Sequence, residues 1–359
     1  MTTAATKHFT RLDDGRIRCD ICPRECALRD GQRGLCFVRK REGDAIVLTT
    51  YGRSSGFCVD PIEKKPLYHF LPGTPVLSFG TAGCNLTCRF CQNWDISKSR
   101  EMDRLMDEAP PIAIAEAAER LGSRSVAFTY NDPTIFHEYA IDSARACRER
   151  GIRTVAVTAG YVKPAARREF YAHMDAANVD LKGFRDAFYR ELSTARLAPV
   201  LDTLRYLKHE TDVWLELTTL IIPGRNDSHA ELDEMTAWVG EELGPDVPMH
   251  FSAFHPAYRM RDVPPTPPAT LKRARRTAMA NGVRYAYTGN VVDAEGGSTL
   301  CHRCGELLIG RAGYRITAWH LDEGARCPAC GAPAAGELEP QPGTWGARRR
   351  PVHPRPPDP

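Results

Sequence analysis

Eleven of the thirteen cysteines of the 359-residue chain fall into three close-spaced sets. Cys84, Cys88 and Cys91 form C-x3-C-x2-C within GTAGCNLTCRFCQNW. Cys19, Cys22, Cys26 and Cys36 form C-x2-C-x3-C-x9-C, and Cys301, Cys304, Cys327 and Cys330 form C-x2-C-x22-C-x2-C. Thiols so grouped are metal or redox sites where the compartment keeps them reduced, and disulfides where it does not. The opening segment MTTAATKHFTRLDDGRIRCD lacks the apolar core of a secretory signal, and no apolar run approaches the length of a membrane span. A cytoplasmic, metal-binding protein with no membrane partner is therefore expected. Cys58 and Cys147 stand alone and read as buried, inert thiols.

The three sets imply different chemistry. A 4Fe–4S cluster is normally held by four thiolates, so a triplet leaves one iron open to an outside ligand. An open coordination position can do chemistry, whereas a filled one is structural. The competing reading of the triplet is a zinc site whose fourth ligand lies elsewhere in the chain. The C-terminal pair of C-x2-C knuckles, each followed directly by glycine (Gly305, Gly331), reads as a zinc-ribbon-like unit, with His302 exposed rather than ligating. The N-terminal four suit zinc or an auxiliary iron–sulfur centre. Spacing does not decide between them, and zinc is the favoured metal.

The rest of the chain must position these groups. Residues 1–18 read as a flexible lead-in, and 19–72 as a small cysteine-rich metal-binding unit. From residue 73 to 295, apolar runs alternate with helical stretches. The strands are expected at 75–80, 125–130, 153–158, 177–181, 213–222, 249–254 and 283–288. The clearest helices are IAIAEAAERLG, TIFHEYAIDSARACRERG and SHAELDEMTAWVGEEL, the last with a Ser or Asp N-cap. Repeated strand–helix units imply an α/β fold with parallel strands, a sheet or a partial (β/α) TIM-like barrel. Ligands bind such folds at the carboxyl ends of the strands. The cysteine triplet, NDPT, AGYVKP, KGF, PGRND, HPAYRM and GNV all fall there, so one large site is expected at that end. DPIEKKPLYHFLPG (60–73) reads either as a solvated linker or as a wall over the site. Residues 299–336 form the ribbon-like unit, and the Pro/Arg-rich segment 337–359 is expected to be disordered.

The triplet, with Phe90 just before its third cysteine, resembles the signature of radical S-adenosylmethionine (radical SAM) enzymes. Residues 75–290 look like the activating enzymes of glycyl radical enzymes, such as pyruvate formate-lyase activating enzyme. VDPIEKKPLYHF, CQNW, TYNDPTIFHEY, IPGRND, FSAFHPAYRM and the C-terminal cysteines together are similar to the radical SAM protein of the AmmeMemoRadiSam system. The resemblance implies a 4Fe–4S cluster on Cys84, Cys88 and Cys91 whose open iron binds S-adenosyl-L-methionine. Reductive cleavage would then give a 5'-deoxyadenosyl radical that abstracts hydrogen from a protein or small-molecule substrate. It places Phe90 near the adenine and Tyr130, Asn131 and Asp132 at the turn that binds the methionine amino group. Thr158 and Asp180 fall near the carboxylate and a monovalent cation site, where Val157 replaces an Asp of the activating enzymes. His255 stands where a histidine approaches the cosubstrate. Asp132 has a second reading as a turn residue before Pro133, Asp180 as a partner of Lys182, and His255 as a loop histidine. An electron donor such as flavodoxin or ferredoxin is implied, with Memo-like and AMMECR-like proteins as further candidate partners.

Two other classes compete. An iron–sulfur electron carrier or sensor would need no cosubstrate turn and no repeated strand-end loops. A zinc-ribbon protein acting on nucleic acid would need a basic surface, and a net charge of +3 with scattered Lys and Arg argues against nucleic acid as a main partner.

Overall fold

The computed structural model describes residues 3–98 and 107–354. Its centre is one sheet whose first strand, β1 (Arg53–Pro61), pairs antiparallel with β2 (Pro75–Gly80). From β2 onward the strands are parallel: β3 (Ser125–Phe128), β4 (Arg153–Thr158), β5 (Ala176–Asp180), β6 (Trp214–Ile221), β7 (Met249–Ala253) and β8 (Ala286–Gly289). Each pairs with its predecessor in sequence. One helix crosses between each pair: α1 (Pro111–Arg120), α2 (His137–Arg148), α3 (Pro164–Tyr171), α4 (Ala198–Glu210), α5 (His229–Glu242) and α6 (Pro268–Ala280). Unbroken sequential order of parallel strands with a helix in each crossover is the order of barrel-type winding. β8 and the opposite edge do not pair among the described residues, so the winding is partial and the sheet open.

The local chemistry explains the elements. β3 and β7 are buried along their whole length, as parallel strands covered on both faces must be, and they read as apolar runs. Ser228 caps α5 by accepting from Glu231 N at 3.2 Å. α3, α4 and α6 carry proline in their first turn, where a missing N–H costs nothing. Those prolines (Pro164, Pro199, Pro268) mark helices that hydrophobic periodicity alone leaves unassigned.

Both chain ends depart from expectation. In the lead-in, Ala4–Ala5 pairs with Ala45–Leu48 and Phe9–Arg11 with Ile17–Cys19. In the C-terminal segment, Arg350–Pro351 adds to the edge of β1 opposite Val59 and Cys58. Gly343 N donates to Pro72 O at 2.9 Å and Trp345 N to Gly73 O at 3.0 Å. Backbone pairing with distant strands thus orders residues that composition marks as free, as far as Pro354. The ribbon-like unit is a three-stranded antiparallel sheet, Thr299–Leu300, Leu307–Ala312 and Arg315–Trp319. Cys147 lies in the core, fully buried.

The tail contact can be tested at one position. Gly73 has φ +77, and a Cβ there would stand 2.3 Å from Gly343 O. Gly122 has φ +66 with nothing within 4 Å of a Cβ. Gly122→Ala carries only the left-handed penalty of about 1 kcal/mol. Gly73→Ala adds a backbone clash and is expected to cost clearly more in urea unfolding. Equal losses would mean that the tail does not pack on Gly73.

Candidate active site

The cysteine triplet lies on the loop leaving β2, and the loop's backbone is tied down from several sides. Asn131 Nδ2 donates to Thr81 O at 2.7 Å and Gly83 O at 2.6 Å. Thr87 N and Arg89 N donate to Ser193 O (3.2 Å) and Leu192 O (2.8 Å) of a π-helical turn, Tyr189–Ser193. That wide turn, ended by Thr194 at φ +51, leaves carbonyls free for the loop. Arg259 N donates to Arg89 O at 3.0 Å, and Tyr258 stacks on Trp94 with centroids 5.8 Å apart.

All three cysteines line one cavity of about 970 Å3. Residues leaving the carboxyl ends of β3, β4, β5 and β8 line it too, among them Asp132, Ala159, Lys182 and Asn290, together with Thr218 and Leu220 of β6 and His250 and Ser252 of β7. The volume is at the upper end for a ligand pocket. Ser193 Oγ lies 3.4 Å from Cys88 Sγ, and Ser97 Oγ 3.1 Å from Cys91 Sγ. Burial pushes the Cys84 thiol up to about 12 and raises Cys88 as well. Both need a cationic centre to become thiolates. The triplet's sulfurs do not close to the spacing of a single-ion site, since no group within 4.8 Å contains them. Three thiols on a cavity wall, spread wider than one ion requires, fit a cluster with an open position.

The other expected site residues divide. Phe90 is buried, lines the cavity and packs against Phe188 at 5.8 Å. Tyr130 lines it at φ +68, with Lys65 Nζ 5.0 Å from its ring. Asn131 spends its amide on the cysteine loop. Asp132 is saturated: Oδ1 accepts from Thr134 N (3.0 Å) and Thr134 Oγ1 (2.6 Å), and Oδ2 from Thr158 Oγ1 (3.1 Å) and Ala159 N (3.0 Å). Burial pushes its carboxyl up while these donors pull it back. A carboxylate offers about four lone-pair sites, so none is left for an ammonium group. The turn-residue reading of Asp132 is thus realised in the geometry, with Thr158 as its partner. Asp180 Oδ2 pairs with Lys182 Nζ at 2.6 Å, and both line the cavity. His255 is exposed and outside the cavity lining, because its loop turns outward to buttress the cysteine loop.

Sequence reasoning missed the opposite wall. Glu216, on β6, has no solvent exposure and accepts from Tyr68 N (3.0 Å), His69 N (2.8 Å), Trp214 Nε1 (2.9 Å) and His250 Nε2 (2.7 Å). Burial alone would raise its carboxyl, but His250 and His69 hold it below the ordinary range. This clamp makes 60–73 a wall of the cavity rather than a solvated linker, with Glu63, Lys65 and Tyr68 in the lining. Arg311 of the ribbon-like unit donates to Tyr68 O at 2.7 Å, and the neighbouring hairpin turn Ala312–Tyr314 also lines the cavity. The available signal was a lone acid inside VWLELTTLII and a lone histidine inside MHFSAF. In the C-terminal set, the four sulfurs lie within 4.8 Å of one another, with Cys301–Cys330 and Cys304–Cys327 each at 3.6 Å, so the group could hold a metal ion.

Glu63 has an acceptor unused by the fold. Oε1 accepts from Gly73 N at 2.7 Å, while Oε2 is buried and makes no hydrogen bond among the described residues. Burial pushes this carboxyl up to about 7 from 4.5. Since the folded value lies above the unfolded one, its contribution to stability is complete below about 4.5 and is lost as pH rises through about 7. Glu63→Gln keeps the Gly73 acceptor and removes the titration. The variant should therefore gain stability relative to wild type between pH 5 and 8 in urea titrations, and a pH-independent difference would refute the burial argument.

Comparison with known proteins agrees with this geometry. Residues 79–236 match the family model of the Radical SAM superfamily. An uncharacterized protein of Methanocaldococcus jannaschii is 40% identical over 324 residues, covering 90% of this chain and 96% of that protein. The pyruvate formate-lyase 1-activating enzyme of Escherichia coli K12 is 25% identical over 222 residues, 57% of this chain and 88% of that enzyme. A radical SAM methyltransferase from Sphaerobacter thermophilus superposes with a TM-score of 0.49 at 16% identity, over 85% and 81% of the two chains. With the cysteine triplet at the carboxyl end of a parallel sheet, the match of residues 79–236 to the family model shows that the chain belongs to the Radical SAM superfamily and is an enzyme of that family.

Proposed function

We propose that Cys84, Cys88 and Cys91 hold a 4Fe–4S cluster that binds S-adenosyl-L-methionine at its open iron. The observation that carries this is the three cysteines of C-x3-C-x2-C on the wall of one large cavity, beneath the carboxyl ends of the strands. When bound, the cluster supplies the electron that cleaves the sulfonium to methionine and a 5'-deoxyadenosyl radical able to abstract hydrogen. The chain's own part is to bind, orient and exclude water. Phe90 offers an apolar face for the adenine. The turn Tyr130–Asp132 offers backbone oxygens in place of the spent Asp132 carboxylate, and Lys182 brings positive charge toward a carboxylate. The Asp180–Lys182 pair occupies the place of the activating enzymes' cation site, so no monovalent cation is assigned there.

The far wall, Glu63, Tyr68 and His250, is assigned to the substrate. Glu63 Oε2, buried and unpaired, selects a substrate that carries a hydrogen-bond donor, whether a small molecule or a protein segment. The reductant is a one-electron donor such as flavodoxin or ferredoxin. Memo-like and AMMECR-like proteins are candidate partners through the resemblance to the AmmeMemoRadiSam system. No described helix is long and apolar enough to cross a membrane. The C-terminal cysteines are assigned zinc, because a tetrahedron with Zn–S of about 2.3 Å has sulfurs about 3.8 Å apart, close to the 3.6 Å observed.

The test is 5'-deoxyadenosine formation by anaerobically reconstituted, reduced protein given S-adenosylmethionine. Wild type should form it. A Cys84→Ala, Cys88→Ala, Cys91→Ala variant, folded by circular dichroism, should lose it to background. Equal product from both would sink the assignment of the cluster to this loop.

A further inference from the structure

We propose that Cys19, Cys22, Cys26 and Cys36 hold a second 4Fe–4S cluster, packed directly against the loop of the first. The chain contains its own yardstick for what each thiol set is shaped to hold. Among the described residues, two groups of ligand-type atoms close to within 4.8 Å of one another. One is the C-terminal cysteine set. The other is His8, His137 and Glu169, whose carboxylate is already taken by Lys7 at 2.9 Å and His8 at 2.6 Å. Neither includes an N-terminal cysteine. The N-terminal four nonetheless line a single cavity together.

A zinc ion draws four thiolates to one point. A cubane takes each thiolate on a different iron, so the sulfurs stand apart by an added iron–iron separation and enclose a space. No three of the N-terminal sulfurs close to within 4.8 Å of one another, so this set, like the active-site triplet, is spaced wider than the C-terminal four.

The surroundings suit an anionic cluster. Ile21, Leu35 and Ile135 contribute apolar lining, and Arg39 contributes the charge. Arg39 is 2% exposed. Its Nε donates to Ile135 O at 2.8 Å and its Nη1 pairs with Glu138 at 2.6 Å, while Nη2 is buried with no hydrogen bond. A buried guanidinium nitrogen left without a partner on a four-thiol cavity points to a negatively charged occupant. Four thiolates on a 4Fe–4S core carry net negative charge, and sulfur accepts hydrogen bonds from such donors.

The site is continuous with the active-site loop. Asn85, next to Cys84, lines the N-terminal cavity. Arg24, between Cys22 and Cys26, donates to Asn85 O at 2.8 Å and to Thr194 Oγ1 at 2.6 Å. Gly83 lies so close to the backbone of Cys36 that a Cβ would stand 2.0 Å from Cys36 O. The two thiol sets therefore share a wall.

The test uses the full chain with Cys84, Cys88 and Cys91 all replaced by Ala, which leaves the N-terminal set intact. After anaerobic reconstitution, iron, sulfide and zinc are counted and the reduced protein is read by low-temperature electron paramagnetic resonance. We expect about eight irons per chain in wild type, about four with a reduced 4Fe–4S signal in the triplet variant, and about one zinc in both. Adding Cys22→Ser and Cys36→Ser to the triplet variant should remove the remaining iron. About four irons in wild type, none in the triplet variant and about two zincs in both would overturn the second cluster and leave the proposed function standing. Iron that persists after Cys22→Ser and Cys36→Ser would overturn it as well. A wild type without iron would defeat both readings together.

Discussion

The structure turns on keeping a buried, irregular loop fully hydrogen-bonded. Residues 80–91 carry three metal-ligand candidates and have no regular partner, and each unpaired backbone group there would cost on the order of 1–3 kcal/mol. The solution is distributed. Asn131 takes carbonyls of Thr81 and Gly83, the turn at Leu192 and Ser193 takes two N–H groups, and Arg24 takes the carbonyl of Asn85. These partners come from the loop after β3, from the segment after β5 and from the N-terminal unit. The loop therefore has its shape only when the sheet is wound and the N-terminal unit is docked. Spacing within the loop supplies the thiols, while the rest of the chain supplies their positions.

The same economy explains why Asp132 and Asn131 serve the scaffold. An acid at the end of a buried parallel strand faces a desolvation cost that only donors can offset. Thr134, Thr158 and Ala159 offset it, which ties the end of β3 to the end of β4 and leaves the carboxylate no spare acceptor. Glu63 is the reverse case, buried with one oxygen engaged and the other open.

What could be read from sequence follows the range of the interactions. The seven parallel strands were legible because burial on both faces leaves a continuous apolar signal. The N-cap Ser228 was legible because capping is local, and the cysteine sets because chelation demands close spacing. His255 was misplaced and the second wall missed because neither depends on near neighbours. Arg311 reaches Tyr68 across 243 residues, and Glu216 reaches His69 across 147. The tail 337–354 looked free because its order comes from main-chain pairing with Gly73 and β1, which leaves no trace in side-chain composition.

Those long-range contacts bring the C-terminal unit to the cavity. Its cysteines lie far along the chain from the triplet, yet its hairpin turn at Ala312–Tyr314 lines the cavity, and Arg311 holds the carbonyl of Tyr68. The four sulfurs of that unit lie within 4.8 Å of one another and could hold a metal ion, which would stiffen this wall of the cavity. Glu216 performs the matching task from inside the sheet, by gripping Tyr68 and His69 through their N–H groups. One wall segment is thus held from both sides, by the buried Glu216 carboxylate and by Arg311 of the C-terminal hairpin.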